Sequence, residues 1–94
     1  MRFVWDEKKS RLNLAKHKIS FETAILVFED PNAVSRPDRV EGNEERWQML
    51  GLAGGIVVRL VAYTCREEDG EEVIRTISAR KATPYERRTY EENF

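Results

Sequence analysis

The chain contains one histidine, His17, in the run Asn13-Leu14-Ala15-Lys16-His17-Lys18. With an ordinary pKa near ~6.5, it is the one side chain suited to proton transfer at neutral pH without help from its surroundings. On a helix, Lys9, Asn13 and His17 fall at i, i+4 and i+8 on one side, with Lys16 next to them. Asn13, one turn before the histidine, could orient the ring or contact a substrate. Helix-end carbonyls would raise the imidazole pKa and the flanking lysines would lower it, so the sign of any shift is open. The plainer alternative is a histidine at a helix C-terminus with no chemistry.

Arginines supply the second set of candidates. Arg46 follows Glu44 and Glu45 and precedes Trp47. Its planar donor fork matches phosphate oxygens, and the ordinary alternative is a cross-strand ion pair. Arg80 and Lys81 stand where a strand meets a helix. The partial positive charge of that helix N-terminus suits the corner to an anion such as phosphate. Against this, Arg75 and Arg80 could simply pair with glutamates on a solvated sheet face. Arg59 interrupts the apolar run IVVRLVAYTC and must reach solvent, a partner or a ligand, while Tyr63 and Arg66 could help shape a pocket. Cys65 is the only cysteine, which rules out an internal disulfide and a cysteine zinc cluster. Beside Arg66 it is either an activated thiol or a buried inert one. The chain has no glycine-rich phosphate loop, metal-ligand motif or nucleophile elbow, so no cofactor and no metal is expected.

These residues need elements to position them. Asp6 is a good N-cap for EKKSRLNLAKHK, whose Leu12, Ala15 and Ile19 form a narrow apolar stripe. Ser20 caps a second helix, FETAILVF, which Asp30-Pro31 ends because the residue before proline disfavours the α region. The period then changes to two. AVSRPDRV reads as an edge strand because of Pro37, and ERWQMLGLA places Trp47 and Met49 on one face. Gly54-Gly55 predicts a two-residue hairpin into the doubly apolar central strand IVVRLVAYTC, and Asp69-Gly70 predicts the next hairpin. In the last strand, strict alternation puts Val73, Ile77 and Ala79 on one face, interrupted by Arg75, and Ile74, Thr76, Ser78 and Arg80 on the other. Thr83-Pro84-Tyr85-Glu86 is a capping box with proline at the first helical position. The order β-α-α-β-β-β-β-α predicts a single α+β domain over residues 1–94. The helices, two at the N-terminus and a short one at the C-terminus, pack on one face of an antiparallel meander.

Bulk composition narrows the partners. Sixteen lysines and arginines against seventeen acids leave a net charge of −1, unlike a protein coated in positive potential for non-specific DNA binding. The charges are unevenly placed, with bases at Lys8 to Lys18 and Arg75 to Arg88 and acids at Glu41 to Glu45 and Glu67 to Glu72. No apolar run approaches the roughly 20 residues of a membrane helix, and the N-terminus lacks an apolar signal core. A cytoplasmic location is the expectation, with no membrane partner.

Taken together, the motifs form a recognisable set. W-D-E-x-K with N-x-x-K-H, then S-F-E-x-A-x-x-V-F-x-D-P, E-R-W and I-S-A-R-x-A occur in order between Phe3 and Glu92. In this the chain resembles the BrnT family of toxins. The resemblance implies a RelE-like ribonuclease fold and the toxin half of a type II toxin–antitoxin pair that cleaves RNA and inhibits translation. It also implies a BrnA-type ribbon-helix-helix antitoxin, through which alone the toxin would be linked to DNA. Carried over residue by residue, Lys16 and His17 match K-H, Arg46 matches E-R-W and Arg80 matches I-S-A-R, as the catalytic set. Lys9, Asn13, Arg66 and Lys81 are the accompanying RNA-binding candidates. Two departures stand out: Lys18 replaces the glycine usual after K-H, and the Glu67 to Glu72 hairpin is acidic enough to repel RNA. The reading from a different class is a catalytically inactive RNA-binding or antitoxin-binding module.

Overall fold

The computed structural model describes residues 1–93. β1 (Arg2–Val4) leads into α1 (Glu7–His17), then α2 (Phe21–Ala24), which continues as a 3₁₀ turn over Ile25–Glu29. Strands β2 (Val34–Glu41), β3 (Glu44–Leu52), β4 (Val58–Glu68) and β5 (Glu71–Lys81) follow, and α3 (Pro84–Glu91) closes the chain. The sheet order is β1-β5-β4-β3-β2, antiparallel except for the outermost pair, in which β1 runs parallel to β5. The architecture is α+β, with Pro37 on edge strand β2 as expected.

The punctuation residues act as their chemistry dictates. The Asp6 side chain accepts from Lys9 N, Ser20 from Thr23 N, and Thr83 and Glu86 form the reciprocal capping box of α3. Asp69 and Gly70 both have positive φ, at 50° and 79°, and turn β4 into β5. Gly54-Gly55, by contrast, does not make a two-residue hairpin: β3 ends at Leu52 and β4 begins at Val58, so a longer loop joins them. Gly51 is needed for close approach instead, since a Cβ there would lie 3.2 Å from Val27 Cβ and 3.3 Å from Asp30 Oδ2.

Two apolar layers sandwich the sheet. Ile19, Ala24, Val27, Ala53, Val61 and Ala79 form one, with Phe28 and Met49 against them. Leu50, Val58, Leu60 and Tyr90 form the other, under α3. The expectation that all helices share one face is therefore corrected: α3 covers the side opposite α2. Asp30 ties the layers together by accepting from Leu52 N at 2.8 Å and from the Tyr90 hydroxyl at 2.6 Å. Burial pushes the Asp30 carboxyl up, but hydrogen bonds from Tyr90, Leu52 and Asn32 outweigh it and hold the group below its usual value.

Helix α1 departs most from its wheel. Leu12 and Leu14 are 61 % and 48 % exposed, whereas the buried residues are Ser10 and Asn13. Ser10 Oγ accepts from Phe21 N, and Asn13 Nδ2 donates to Ile19 O and Ala79 O while its Oδ1 accepts from Ala79 N. Asn13 thus extends the β5 edge like a one-residue strand, satisfying a backbone pair that β1 is too short to reach. Of the expected apolar stripe only Ile19, just past the helix, is buried; Leu12 and Ala15 are exposed because the helix docks on a polar sheet edge.

Lys18 ends α1 in the left-handed region at φ 62°. A side chain there costs roughly 1 kcal/mol that glycine avoids. Lys18→Gly is accordingly expected to raise stability by up to about 1 kcal/mol, or several degrees in Tm, checked by thermal denaturation.

Strand β5 carries a bulge. Ser78 pairs with Ala62 but Thr76 pairs with Tyr63, so Ile77 is the extra residue. Alternation changes parity there. Ile74, Thr76 and Ala79 are buried toward the N-terminal helices, while Arg75 and Ser78 are exposed on the same side as Arg80. The strict-alternation assignment of Val73, Ile77 and Ala79 to one face is corrected accordingly. Thr76 Oγ1 is buried with no hydrogen-bond partner among the described residues. Thr76→Val removes that penalty at nearly equal volume and is expected to stabilise by about 1 kcal/mol, measured by urea denaturation.

Candidate active site

The α1–β5 junction brings the sequence-predicted groups into two adjoining clefts. The first, about 250 Å³, is lined by Lys9, Leu12, Asn13, Lys16, His17, Phe21, Ile77 and Ser78. The second, about 200 Å³, is lined by Asp6, Lys9, Glu41, Glu44, Arg46, Thr64, Arg75, Thr76 and Ile77. Lys9 and Ile77 border both. The Ile77 bulge is what lets β5 contribute Arg75 on one side of that seam and Ser78 on the other.

In the first cleft Lys16 is exposed and His17 partly exposed at the last turn of α1. Asn13 is 8 % exposed and its amide is already spent on backbone groups, so it places the helix rather than facing the cleft with a free donor. In the second cleft the Arg46 side chain is 24 % exposed and lies 3.8 Å from Glu41, a long ion-pair contact. Glu44 is the busier carboxylate. Arg75 Nη2 donates to both its oxygens, at 3.0 and 3.3 Å, and Arg66 Nη1 lies 3.6 Å away.

Family comparison gives this constellation its context. The model of the family described as "Ribonuclease toxin, BrnT, of type II toxin-antitoxin system" matches residues 5–86. The chain belongs to the BrnT family. Among solved structures, the Brucella abortus ribonuclease toxin BrnT superposes with a TM-score of 0.61. It is 24 % identical in sequence, covering 88 % of this chain and 97 % of that one, and at that identity the likeness shows the fold. No curated protein matches the chain significantly. As a BrnT-family member it is a ribonuclease toxin with an antitoxin partner.

Among the remaining candidates, the motif-matched Arg80 and the RNA-binding candidates Lys81 and Arg66 lie apart from the clefts. Arg80 lines neither of them. Its Nη1 and Nη2 donate to Glu86 Oε1 and Oε2 at 2.9 and 3.1 Å, and Nη1 also reaches Lys81 O. The Arg80 guanidinium holds the Glu86 carboxyl down to about 2. Lys81 is exposed at the end of β5, opposite Arg59 on β4. Arg66 donates through Nε to Glu68 at 2.8 Å and sits near the acidic β4–β5 hairpin. Burial pushes the half-buried Cys65 thiol up to about 11, with Glu72 adding to it, which argues against the activated thiol. Strict alternation missed Arg75 as a cleft residue. Its position depends on the bulge, for which the sequence offers only the excess of consecutive apolar and small residues around Ile77.

No described helix is long and apolar enough to cross a membrane.

Proposed function

We propose that the chain is a metal-independent endoribonuclease of RelE-like fold. Its RNA substrate would lie along the α1–β5 junction. The observation that supports this reading most directly is Lys9 at the seam of the two clefts, which makes Lys16, Lys9 and Arg46 one cationic track beside His17. Those side chains can neutralise the charge that builds on a phosphorane as the ribose 2′-oxygen attacks phosphorus. The new P–O bond forms as the bond to the 5′-oxygen breaks, giving a 2′,3′-cyclic phosphate and a 5′-hydroxyl. One proton leaves the 2′-hydroxyl and one must reach the departing oxygen. His17 is assigned one of these transfers, with Lys16 as electrostatic support, and Glu44 or Glu45 is the alternative base. Arg46 holds the phosphate. Arg80, matched to I-S-A-R, holds phosphate only through donors not engaged by Glu86, and otherwise anchors α3 beside the strand end.

Inhibition of translation follows from loss of RNA in the cytoplasm. The antitoxin in this reading is a BrnA-type ribbon-helix-helix protein that carries the DNA contact. The other reading, an inactive RNA- or antitoxin-binding module, draws on the carboxylates that face Arg46, Arg66 and Arg75. Purified chain incubated with RNA and EDTA separates the two. Cleavage is expected to survive chelation, whereas intact RNA together with retained antitoxin binding would favour the module. Equal growth arrest by wild type and His17→Ala would sink the histidine's assignment.

A further inference from the structure

We propose that Arg75, with Lys9 and Arg46, forms a phosphate subsite for single-stranded RNA, and that Glu44 occupies it as a phosphate stand-in until RNA displaces it. The proposal rests on the RNA-binding reading above and adds a residue and a competitor to it. Three cations border one cleft of about 200 Å³, and within it Arg75 presents its Nη2 to both oxygens of Glu44, at 3.0 and 3.3 Å. A carboxylate held by a guanidinium in this way offers the planar pair of oxygens that a phosphate would offer. The exchange costs little, because the Arg75 and Glu44 side chains are 46 % and 28 % exposed and such half-exposed pairs contribute little.

Glu44 is also positioned to let go. Arg66 Nη1 lies 3.6 Å from its Oε2 and can take the carboxylate when Arg75 turns to the ligand. Across β4, Thr64 pairs with Arg75 and its neighbour in register on β3 is Arg46, so the two arginines stand on one face, two strands apart. A phosphate between them would be gripped from both sides, with Lys9 at the cleft's third wall. In the closed cleft Lys9, Arg46 and Arg75 are balanced by Asp6, Glu41 and Glu44, and the balance turns positive once Glu44 swings away. Such a site lets a chain whose net charge is −1 take a phosphate.

The test is binding of an uncleavable 2′-O-methyl oligoribonucleotide, followed by fluorescence anisotropy across a salt series. Wild type is compared with Arg75→Ala, Arg75→Lys, Glu44→Gln, Arg46→Ala and a control outside the cleft lining, the exposed Arg87→Ala. Arg75→Ala is expected to bind roughly tenfold more weakly, with the slope of log affinity against log salt reduced by about 0.7, the loss of one phosphate contact. Arg75→Lys should keep the slope, since the charge remains, but bind more weakly than wild type for want of the fork. Glu44→Gln should bind several-fold more tightly. Thermal melts of the same variants establish that each is folded. If Arg75→Ala keeps the wild-type slope, or Glu44→Gln binds no more tightly, the subsite is overturned. Should Arg46→Ala still lose binding in that case, the ribonuclease reading stands without it. If wild type binds no RNA at all, both fall.

Discussion

Replacing Arg46 with alanine is expected to lower RNA cleavage by about two orders of magnitude while the protein stays folded. The size follows from its assigned task. A preorganised cationic donor aimed at charge that develops only in the transition state typically supplies ~10²–10³ in rate. The fold should tolerate the loss, because the nearest carboxylate, on Glu41, lies 3.8 Å away and is itself 55 % exposed. Removing Arg46 therefore leaves no buried charge without a partner. Arg46→Lys should recover part of the rate, since a point charge survives but the planar fork does not. The measurement is the single-turnover cleavage rate on a short RNA, with circular dichroism melts alongside. An unchanged rate in a folded Arg46→Ala protein would remove Arg46 from the reaction.

The second large effect is on stability, at Glu86. This side chain makes one half of the α3 capping box, accepting from Thr83 N, and takes two hydrogen bonds from Arg80. Deleting it removes the return half of the capping box, though the Thr83 cap itself remains, and leaves a partly buried guanidinium unmatched, so Glu86→Ala should cost about 2 kcal/mol in all. For a domain of this length that corresponds to a Tm lower by roughly 10 °C or more. The same pair sets a pH dependence. The Glu86 carboxyl titrates at about 2 in the folded chain, against an ordinary value of 4.5. Its contribution is thus fully present above the unfolded value and is lost as pH falls from about 4.5 toward 2. Because Arg80 is 39 % exposed, solvent screening reduces that contribution to about 1–2 kcal/mol. Urea midpoints measured down the acid range should fall less steeply in Glu86→Gln than in wild type. Parallel curves would show that the pair contributes nothing to acid stability. Glu86→Gln also frees the Arg80 donors, so a rise in its RNA affinity would support the phosphate role carried over from I-S-A-R.

The α1–β5 junction also explains why Lys18 is tolerated. Its backbone N–H donates to Leu14 O and its side chain reaches Ala15 O at 3.2 Å, so the left-handed cap is satisfied although the residue is not glycine. Left-handed geometry at the end of α1 turns the chain into Ser20 and α2, just after His17, which lines the first cleft. The glycine usual at this position in the family would make the same turn with less strain.

Local signals determined most of the elements of this protein. Asp6, Ser20 and the Thr83–Glu86 box start helices where short polar side chains can cap free N–H groups, and Asp69-Gly70 turns a hairpin because both residues tolerate positive φ. The ordered motifs around His17, Arg46 and Arg80 likewise carried the family, because each is a short run readable without a fold. Local patterns failed where the decisive partner is distant. Leu12, Ala15 and Ile19 look like a buried stripe, yet only Ile19 is buried, because α1 meets a strand edge whose free backbone pair asks for an amide, and Asn13 supplies it. Gly54-Gly55 resembles a tight turn, yet β3 stops at Leu52, and the loop is longer.

Arg80 and Arg75 exchange prominence for the same reason. Ion-pair geometry commits the Arg80 terminal nitrogens to Glu86, six residues on, while a bulge at Ile77 turns Arg75 into the cleft beside Arg46. Alternation along a strand is a local rule and assumes an unbroken ladder, so it cannot register a residue that has no partner across it. By itself, then, the sequence determined the elements, the family and the three short motifs. Only the tertiary structure decided which cations share a cleft, because that depends on strand pairing over long separations and on where one extra residue shifts the register.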